Sequence, residues 1–333
     1  MSSELRDNLL RVAGLVLLVG AFAWVQLGDA DLPETVAGWQ GEAMGTTWSV
    51  LVAQAVPPAE SSRLESEIAA ALADVDRSMS NWRPDSELSA FNRHAGPEPF
   101  AASADLLAVM QVAQRVAVLS DGAFDVTVAP LVAAWGFGPH KREDVPIAPT
   151  DAEVARIRQD VGHTLITVDA ARGSLTKARP GVTADLSGVA KGWAVDRVAS
   201  VLEANGLTSY LVEIGGELRV RGVRADGQPW RVGIERPEPG VRAVAEVVVP
   251  REGAVATSGT YRNAHELAGG AVVSHLIDPR TGRPTSHALV SVSVRAPDCA
   301  TADALATALH ILGPIDGPAL ARREGLPALF LID

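Results

Sequence analysis

The segment Asp185–Gly192 reads DLSGVAKG and combines a carboxylate, a hydroxyl, two glycines and a lysine just before a helical pattern. The first turn of a helix presents free backbone N–H groups and the positive end of the helix dipole, and both favour a bound phosphate. Lys191 adds a positive charge, while Gly188 and Gly192 let other groups approach the backbone. The segment therefore predicts a phosphate site. The alternative is that Asp185 or Ser187 only caps the helix.

The segment Thr301–Thr307 reads TADALAT and places Asp303 four residues before Thr307. On a helix this spacing puts both oxygen-bearing side chains on one face. A carboxylate and a hydroxyl are hard oxygen ligands, which suit Mg²⁺ and do not suit zinc or copper. The alternative is a helix without a metal, in which Thr307 bonds to its own backbone and Asp303 interacts with the helix dipole.

His275 lies at the end of an apolar strand pattern and immediately before a turn. The turn is predicted by Asp278–Pro279 followed by Thr281–Gly282, and it does not require the histidine. Histidine is the side chain best matched to proton transfer near neutral pH. His275 is therefore a candidate general base, and the alternative is a core histidine whose hydrogen bonds are satisfied.

A fourth segment, Gly122–Gly138, contains Trp135 and Phe137 among glycines. Aromatic side chains in a Gly-rich loop can form a flat slot for a planar ring, and Asp125 could accept hydrogen bonds from ring or ribose donors. The alternative is a hydrophobic strand that ends in a Gly-rich turn.

The elements that would position these segments alternate between strand and helix patterns. Trp48, Val50 and Val52 alternate as in a half-buried strand, and apolar residues recur at helical spacing from Leu64 to Val75. Further helices are predicted over Ala104–Leu119 (with Ser103 as N-cap and Gly122 beyond its end), Asp151–Asp160, Ala190–Leu202 and Ala302–Leu312. Strands are predicted over Tyr210–Ile214, Leu218–Val223, Trp230–Ile234, Val244–Val249, Val272–His275, Val290–Arg295 and Leu329–Ile332. This order predicts an α+β fold with two closely joined subdomains.

Composition excludes several classes of protein. A chain of 333 residues that is 47% hydrophobic and 21% charged is neither disordered throughout nor a multi-span membrane protein. Cys299 is its one cysteine, which excludes an internal disulfide and argues against a thiolate zinc cluster. The formal net charge of −11 argues against nucleic acid as a partner.

The first thirty residues predict a segment separate from the fold. Val12–Val25 reads VAGLVLLVGAFAWV, without a charged or strongly polar side chain. The run is long for the apolar part of a signal peptide and shorter than the roughly 20 residues of a comfortable bilayer span. Residues 1–30 are therefore expected to be a signal or membrane-anchor segment, and residues 31–333 the functional domain, outside the cytoplasm. No cysteine lies directly after the run, so a lipoprotein is not expected.

In the types of these motifs and in their order along the sequence, the chain resembles the ApbE-type FAD:protein FMN transferase family. The resemblance runs from Ala43–Thr47 to Thr301–Thr307 and so covers nearly all of the chain after the apolar run. The segments between these ends that carry it are Ser80–Asn92, Gly122–Gly138, Asp185–Gly192, Glu213–Glu217, Ala256–Tyr261 and His275–Pro284. The resemblance implies an α+β fold with mixed, mostly antiparallel sheets and packed helices.

The implied activity is Mg²⁺-dependent cleavage of FAD, with FMN passed to a Ser or Thr hydroxyl of an exported or membrane-bound flavoprotein and AMP released. The acceptor would be a subunit of a membrane redox complex, and the location would be the periplasmic side of a bacterial inner membrane. Residues at the family's FAD positions are Met44, Trp82, Ala123, Phe124, Asp125, Asp185, Lys191 and Leu276. Residues at its metal positions are Gly188 (through its carbonyl), Asp303 and Thr307.

The attacking alcohol needs a base, for which His275 is the candidate and Asp185 the rival. Two other functions stay open from the sequence. A hydrolytic FAD pyrophosphatase would use the same residues, with water as the nucleophile, and release FMN and AMP. A non-catalytic periplasmic flavin carrier would need the aromatic slot only, and the presence of both Asp303 and Thr307 counts against it.

Overall fold

A computed structural model of the protein describes residues 37–139, 146–236, 244–260 and 263–332. The predicted segment 1–30 and its apolar run lie outside the described residues. Within them the chain forms seven α-helices: α1 Pro58–Met79, α2 Glu87–Arg93, α3 Ala104–Leu119, α4 Ala129–Ala134, α5 Asp151–Ile157, α6 Ala190–Ala204 and α7 Cys299–Arg323. The first eight strands are β1 Ala37–Ala43, β2 Thr46–Val52, β3 Phe100–Ala101, β4 Ile166–Asp169, β5 Ser174–Lys177, β6 Tyr210–Ile214, β7 Glu217–Arg221 and β8 Val232–Glu235. The remaining eight are β9 Val244–Val248, β10 Gly253–Gly259, β11 Ala264–Glu266, β12 Val272–Ser274, β13 Ile277–Asp278, β14 Arg283–Pro284, β15 Leu289–Ala296 and β16 Ala328–Ile332.

Seven strands form one sheet in the order β1-β2-β6-β7-β10-β15-β16, and every neighbouring pair is antiparallel. Side chains of β6 alternate between the two faces, as the period of a strand requires. Tyr210, Val212 and Ile214 join the main hydrophobic core together with apolar faces of α1, α3, α6 and α7. Leu211 points to the opposite face, where it packs with Trp230 beside the β8–β9 hairpin. Helices therefore cover one face of the sheet and a hairpin covers part of the other.

A second, smaller core lies beside the main one. It is formed by Leu131, Trp135, Phe137, Val154, Leu267 and Ile277, which come from α4, α5 and the segments around the short hairpins β11–β12 and β13–β14. The main core and this smaller core correspond to the two closely joined subdomains, so the expected α+β fold with mostly antiparallel sheets is confirmed.

The helix boundaries that the sequence predicted are largely confirmed where the capping residues lie next to the helix in sequence. The helix predicted over Ala104–Leu119 is confirmed: Ser103 Oγ accepts the Leu106 N–H, and Gly122 follows with φ +72°. The predicted helix Asp151–Asp160 is an α-helix to Ile157 continued by a 3₁₀ turn over Arg158–Asp160. The predicted helix after Ala190 ends at Ala204, with Gly206 in the left-handed region as expected.

Two of the alternatives left open by the sequence are excluded. Neither Asp185 nor Ser187 caps α6, because the helix begins only at Ala190 and its N-cap residue, Val189, makes no side-chain capping bond. The segment Gly122–Val132 is not a strand; it forms a 3₁₀ turn over Val126–Val128 and then α4.

The last helix is longer than predicted. It extends over Cys299–Arg323 but breaks at Gly313, where φ is +79° and Pro314 follows. Within the described residues α7 is the one helix long and apolar enough to cross a membrane, yet its first half is buried in the main core. We therefore interpret α7 as a core helix, and it carries Asp303 and Thr307.

Candidate functional site

A cavity of about 380 Å³ lies where the main core meets the smaller core. Its walls come from the α3–α4 loop, the segment before α6, α7, β10 and the β12–β13 region. Eleven of the twelve residues that the sequence placed at a site line this cavity: Trp82, Ala123, Phe124, Asp125, Asp185, Gly188, Lys191, His275, Leu276, Asp303 and Thr307.

The twelfth, Met44, is not among the residues lining the cavity. It lies in the turn between β1 and β2 with φ +52° and packs partly buried against the main core. Trp135, predicted to belong to an aromatic slot, also lies elsewhere: it is buried in the smaller core and its Nε1–H donates to the Gly282 carbonyl at 2.9 Å.

Aromatic side chains do line the cavity, but at different depths. Phe124 and Phe137 are buried in its walls, whereas the Trp82 side chain is 63% exposed at the rim. A ring bound in the cavity could contact apolar walls inside and stack on an indole at the mouth. Of the aromatics in Gly122–Gly138, Phe124 and Phe137 therefore line the cavity, and Trp82 from outside that segment lines it in addition.

The loop segments that carry Asp125 and Asp185 are tied together by the backbone. The Asp185 N–H donates to the Val126 carbonyl at 2.7 Å. Asp125 Oδ1 accepts from the N–H and the hydroxyl of Thr127, and Asp185 Oδ1 accepts from the Ser187 N–H. Burial raises the pKa of Asp125, while the bonds from Thr127 oppose that rise.

Asn92 holds the chain directly before Asp185. Its amide donates to the Ala184 carbonyl at 2.9 Å and its Oδ1 accepts the Ala184 N–H at 2.7 Å. The buried Lys177 ammonium in turn donates to the carbonyls of Asn92 and His94. Two long-range contacts thus fix the entry of the segment predicted to bind phosphate.

The charged centre of the cavity consists of Lys191, Glu217 and Asp303. Lys191 Nζ lies 2.9 Å from Glu217 Oε1, and both carboxylates are almost fully buried. Burial raises the pKa of Glu217 and of Asp303, and the Lys191 charge partly offsets both shifts. Burial alone would lower the pKa of Lys191, but the two carboxylates outweigh it and raise that pKa. Lys191 therefore keeps its positive charge at neutral pH.

The three predicted metal residues lie next to one another. A Cβ built on Gly188 would lie 3.4 Å from Thr307 Oγ1, so the Gly188 backbone is adjacent to that hydroxyl. Asp303 Oδ2 accepts the Gly192 N–H at 3.0 Å, and Thr307 Oγ1 lies 2.9 Å from Ser258 Oγ. If Thr307 donates its proton to Ser258, its lone pairs are left for a cation.

This donor set fits Mg²⁺. One carboxylate, one hydroxyl and one carbonyl are all hard oxygen ligands, and Mg²⁺ completes its shell with water and substrate phosphates. Among the residues that the structure describes, no group of three or more His, Cys, Asp or Glu side chains could hold a metal ion. A site built mainly from acidic or imidazole ligands is therefore not found in that part of the chain.

His275 is half-buried at the end of β12, as the sequence indicated. Its Nδ1 lies 3.0 Å from the Asn263 carbonyl oxygen. Because a carbonyl can only accept, Nδ1 carries the hydrogen and Nε2 keeps a free lone pair. Burial lowers the pKa of His275, against the opposing bond to Asn263, so the ring is neutral at pH 7. The imidazole is thus anchored through one nitrogen and able to accept a proton at the other.

Several lining residues were missed as site residues. Glu217, Ser258 and Asn263 contact Lys191, Thr307 and His275 respectively. Glu217 lies within Glu213–Glu217 and Ser258 within Ala256–Tyr261, two segments that the sequence marked without giving them a role. Tyr261 itself lies outside the described residues.

Comparison with known proteins gives consistent matches. A sequence model described as the ApbE family matches residues 44–330. A protein named FAD:protein FMN transferase from Vibrio cholerae is 43% identical over 328 residues, which cover 98% of this chain and 94% of that protein. A protein of the same name from Haemophilus influenzae is 41% identical, over 96% of this chain and 92% of its own length.

Solved structures match equally well. The flavin transferase ApbE from Vibrio cholerae superposes with a TM-score of 0.81 at 43% identity, over 90% of this chain and 94% of that one. The apo form of the Pseudomonas stutzeri flavinyl transferase ApbE also gives 0.81, at 35% identity, over 90% of this chain and 92% of that one.

Proposed function

This chain belongs to the ApbE family, and from that membership and its own cavity we propose that it moves FMN from FAD onto a protein. It is an FAD:protein FMN transferase. We infer that the acceptor group is a Ser or Thr hydroxyl, that the reaction depends on Mg²⁺, and that AMP is released. The observation that carries the proposal is that Lys191, Asp303, Thr307 and His275 all line one cavity.

The proposed transfer exchanges one P–O bond of FAD for another and moves one proton. The acceptor oxygen attacks the phosphorus of the FMN half and forms a P–O bond, the P–O bond to the AMP half breaks, and AMP leaves with that oxygen. The proton of the acceptor hydroxyl goes to His275 Nε2. Lys191 stabilises negative charge that develops on the phosphoryl oxygens.

Bound Mg²⁺ would supply further charge stabilisation on the two phosphates. Gly188, through its carbonyl, Asp303 and Thr307 are the residues that would hold it. Asp185 also lines the cavity and stays the rival base, with its Oδ1 accepting the Ser187 N–H. His275 is neutral and keeps one nitrogen free, which a base requires.

The acceptor protein and the cellular location of the enzyme are proposed from its sequence. We expect an acceptor flavoprotein that is a subunit of a membrane redox complex, on the periplasmic side of a bacterial inner membrane. The N-terminal segment 1–30 would attach the enzyme there without a lipid-modified cysteine.

The test is to incubate the purified protein with FAD, Mg²⁺ and a candidate acceptor and then to weigh the acceptor by mass spectrometry. Transfer adds the mass of FMN less one water, and replacing the acceptor Ser or Thr by Ala prevents it. Free FMN and AMP with an unmodified acceptor would indicate a pyrophosphatase instead. FAD that stays intact while bound would indicate a carrier.

A further inference from the structure

Helices α6 and α7 each bind the N-terminus of the other through a carboxylate. Asp196 of α6 accepts the N–H groups of Cys299 and Ala300, at 2.8 and 2.9 Å, where α7 begins. In the opposite direction, Asp303 of α7 accepts the Gly192 N–H in the first turn of α6. The first N–H groups of a helix have no partner within it, so each carboxylate satisfies donors that the other helix leaves free.

The two N-termini are also in close backbone contact. A Cβ on Gly192 would lie 2.3 Å from the Cys299 carbonyl oxygen, so only glycine fits at this crossing. Asp196 is 9% exposed, and the Arg219 guanidinium donates to its Oδ1 at 2.8 Å. The carboxylate that links the helices is therefore itself held in place.

We propose that Asp196 is a positioning residue for the phosphate and metal site. Lys191 lies one residue before Gly192, and Thr307 lies one helical turn after Asp303, so the crossing sets how these groups face one another. Asp196 is not among the residues that line the cavity, and it acts through the α6–α7 contact. The inference rests on the proposed function, in which Mg²⁺ stabilises charge on the two phosphates of FAD, and it adds that Mg²⁺ strengthens FAD binding.

Asp298 provides a matched control on the same helix. Its Oδ1 accepts the Thr301 N–H at 2.8 Å and so caps α7 from within the same stretch of chain. Substitution of Asp298 removes a cap of α7 without touching α6. Substitution of Asp196 removes a cap of α7 and the link to α6 together.

The experiment compares Asp196→Asn with Asp298→Ala in the full-length protein, because an asparagine at position 298 would still accept the Thr301 N–H. Asparagine keeps the size of aspartate, but its amide nitrogen cannot accept a hydrogen bond. FAD affinity is measured by flavin fluorescence as a function of Mg²⁺, and Tm is measured on the same preparations. We expect both variants to lose a few degrees of Tm. Only Asp196→Asn should raise the Mg²⁺ concentration for half-maximal FAD binding, by about tenfold, in the range seen when outer-shell partners of metal ligands are lost.

Equal Mg²⁺ dependence of the two variants would overturn the inference. If Asp196→Asn does not fold, Arg219→Gln, which loosens the carboxylate and leaves the backbone bonds, should raise the Mg²⁺ requirement in the same direction. An unchanged requirement in Arg219→Gln would then count against the proposal. FAD binding that is independent of Mg²⁺ in the unmodified protein would overturn this inference, whereas transfer that is independent of Mg²⁺ would remove the metal part of the proposed function.

Discussion

The hydrogen bonds that each side chain already makes decide what it can still do in the cavity. His275 uses Nδ1 on the Asn263 carbonyl and keeps Nε2 free. Asp303 uses Oδ2 on the Gly192 N–H, which leaves Oδ1 for a cation. Asp185 uses Oδ1 on the Ser187 N–H, so its second oxygen keeps it as the rival base.

If His275 takes the acceptor proton, His275→Asn should lower the rate of FMN transfer by roughly 10²–10⁴-fold, the usual range for a lost general base. FAD affinity should change little, because the imidazole interacts with the proton and not with the phosphates. Single-turnover transfer and FAD binding are measured on one preparation. His265→Asn is the matched control. His265 lies in β11, which pairs with the strand that precedes His275, and its ring stacks on Phe137. It is not among the cavity-lining residues.

Normal turnover of His275→Asn with a lower Tm would instead show a core histidine, since a disturbed buried hydrogen bond costs about 1–3 kcal/mol. Asp185 would then be the candidate for the general base.

The rate of transfer at low pH should be determined by the protonation of His275. A base works only when neutral, and the pKa of His275 is lowered below its ordinary 6.5 by burial. Transfer should therefore hold its rate from pH 7 to below 6.5 and fall only as the pH passes through the lowered pKa. In His275→Asn this fall in rate at low pH should vanish, and the rate should rise with pH as hydroxide replaces the base. If the fall at low pH persists unchanged in the variant, a group other than His275 causes it.

Removal of the carboxylate at Asp303 should abolish transfer without unfolding the protein. Thr307 and a carbonyl alone cannot hold a strongly hydrated cation, so Asp303→Ala should show no transfer at limiting Mg²⁺. Asp303→Asn separates charge from packing, because its amide oxygen can still accept the Gly192 N–H. We expect it to keep Tm closer to that of the unmodified protein and to remain inactive. Full activity of either variant at limiting Mg²⁺ would remove the metal assignment.

At the scale of elements, the sequence predicted what local contacts determine. Ser103 and Gly122 bracket α3 because a cap and a left-handed glycine act within a few residues of the helix end. The start of α6 at Ala190 was predicted correctly, but the group that binds its N-terminus was not. The Gly192 N–H is bound by Asp303, 111 residues away in sequence, so no nearby residue indicates this cap. Glu217, whose role comes from its ion pair with Lys191, was missed for a similar reason.

The α6–α7 crossing also predicts the effect of a single methyl group. Gly192→Ala would place Cβ 2.3 Å from the Cys299 carbonyl, a backbone atom that can yield only if a helix shifts. We expect a loss of about 1–3 kcal/mol in the free energy of unfolding, as for other overpacked sites. Gly269→Ala is the control, because no atom lies within 4 Å of its added Cβ. Urea unfolding of both variants checks this, and equal stabilities would contradict the close contact.

At the scale of the whole molecule, the proposed catalytic groups and the apolar run Val12–Val25 belong to separate parts of the sequence. The cavity-lining residues that the structure describes fall between Asn81 and Ile311 in the sequence, well after residues 1–30. We therefore expect the full-length protein to fractionate with membranes, and a variant that lacks residues 1–30 to be soluble and to transfer FMN at a similar rate. The physical reason is that the run should decide location and contribute no group to the chemistry.

Membrane fractionation of cells, followed by transfer assays on the truncated protein and on full-length protein in detergent, measures both halves of this prediction. Because the detergent contains no bilayer, equal rates there would show that the segment contributes nothing to turnover itself. A truncated protein that binds no FAD, or that only aggregates, would show that residues 1–30 pack against the described domain. Protein that is recovered in the soluble fraction without its N-terminal segment would instead indicate a cleaved signal peptide.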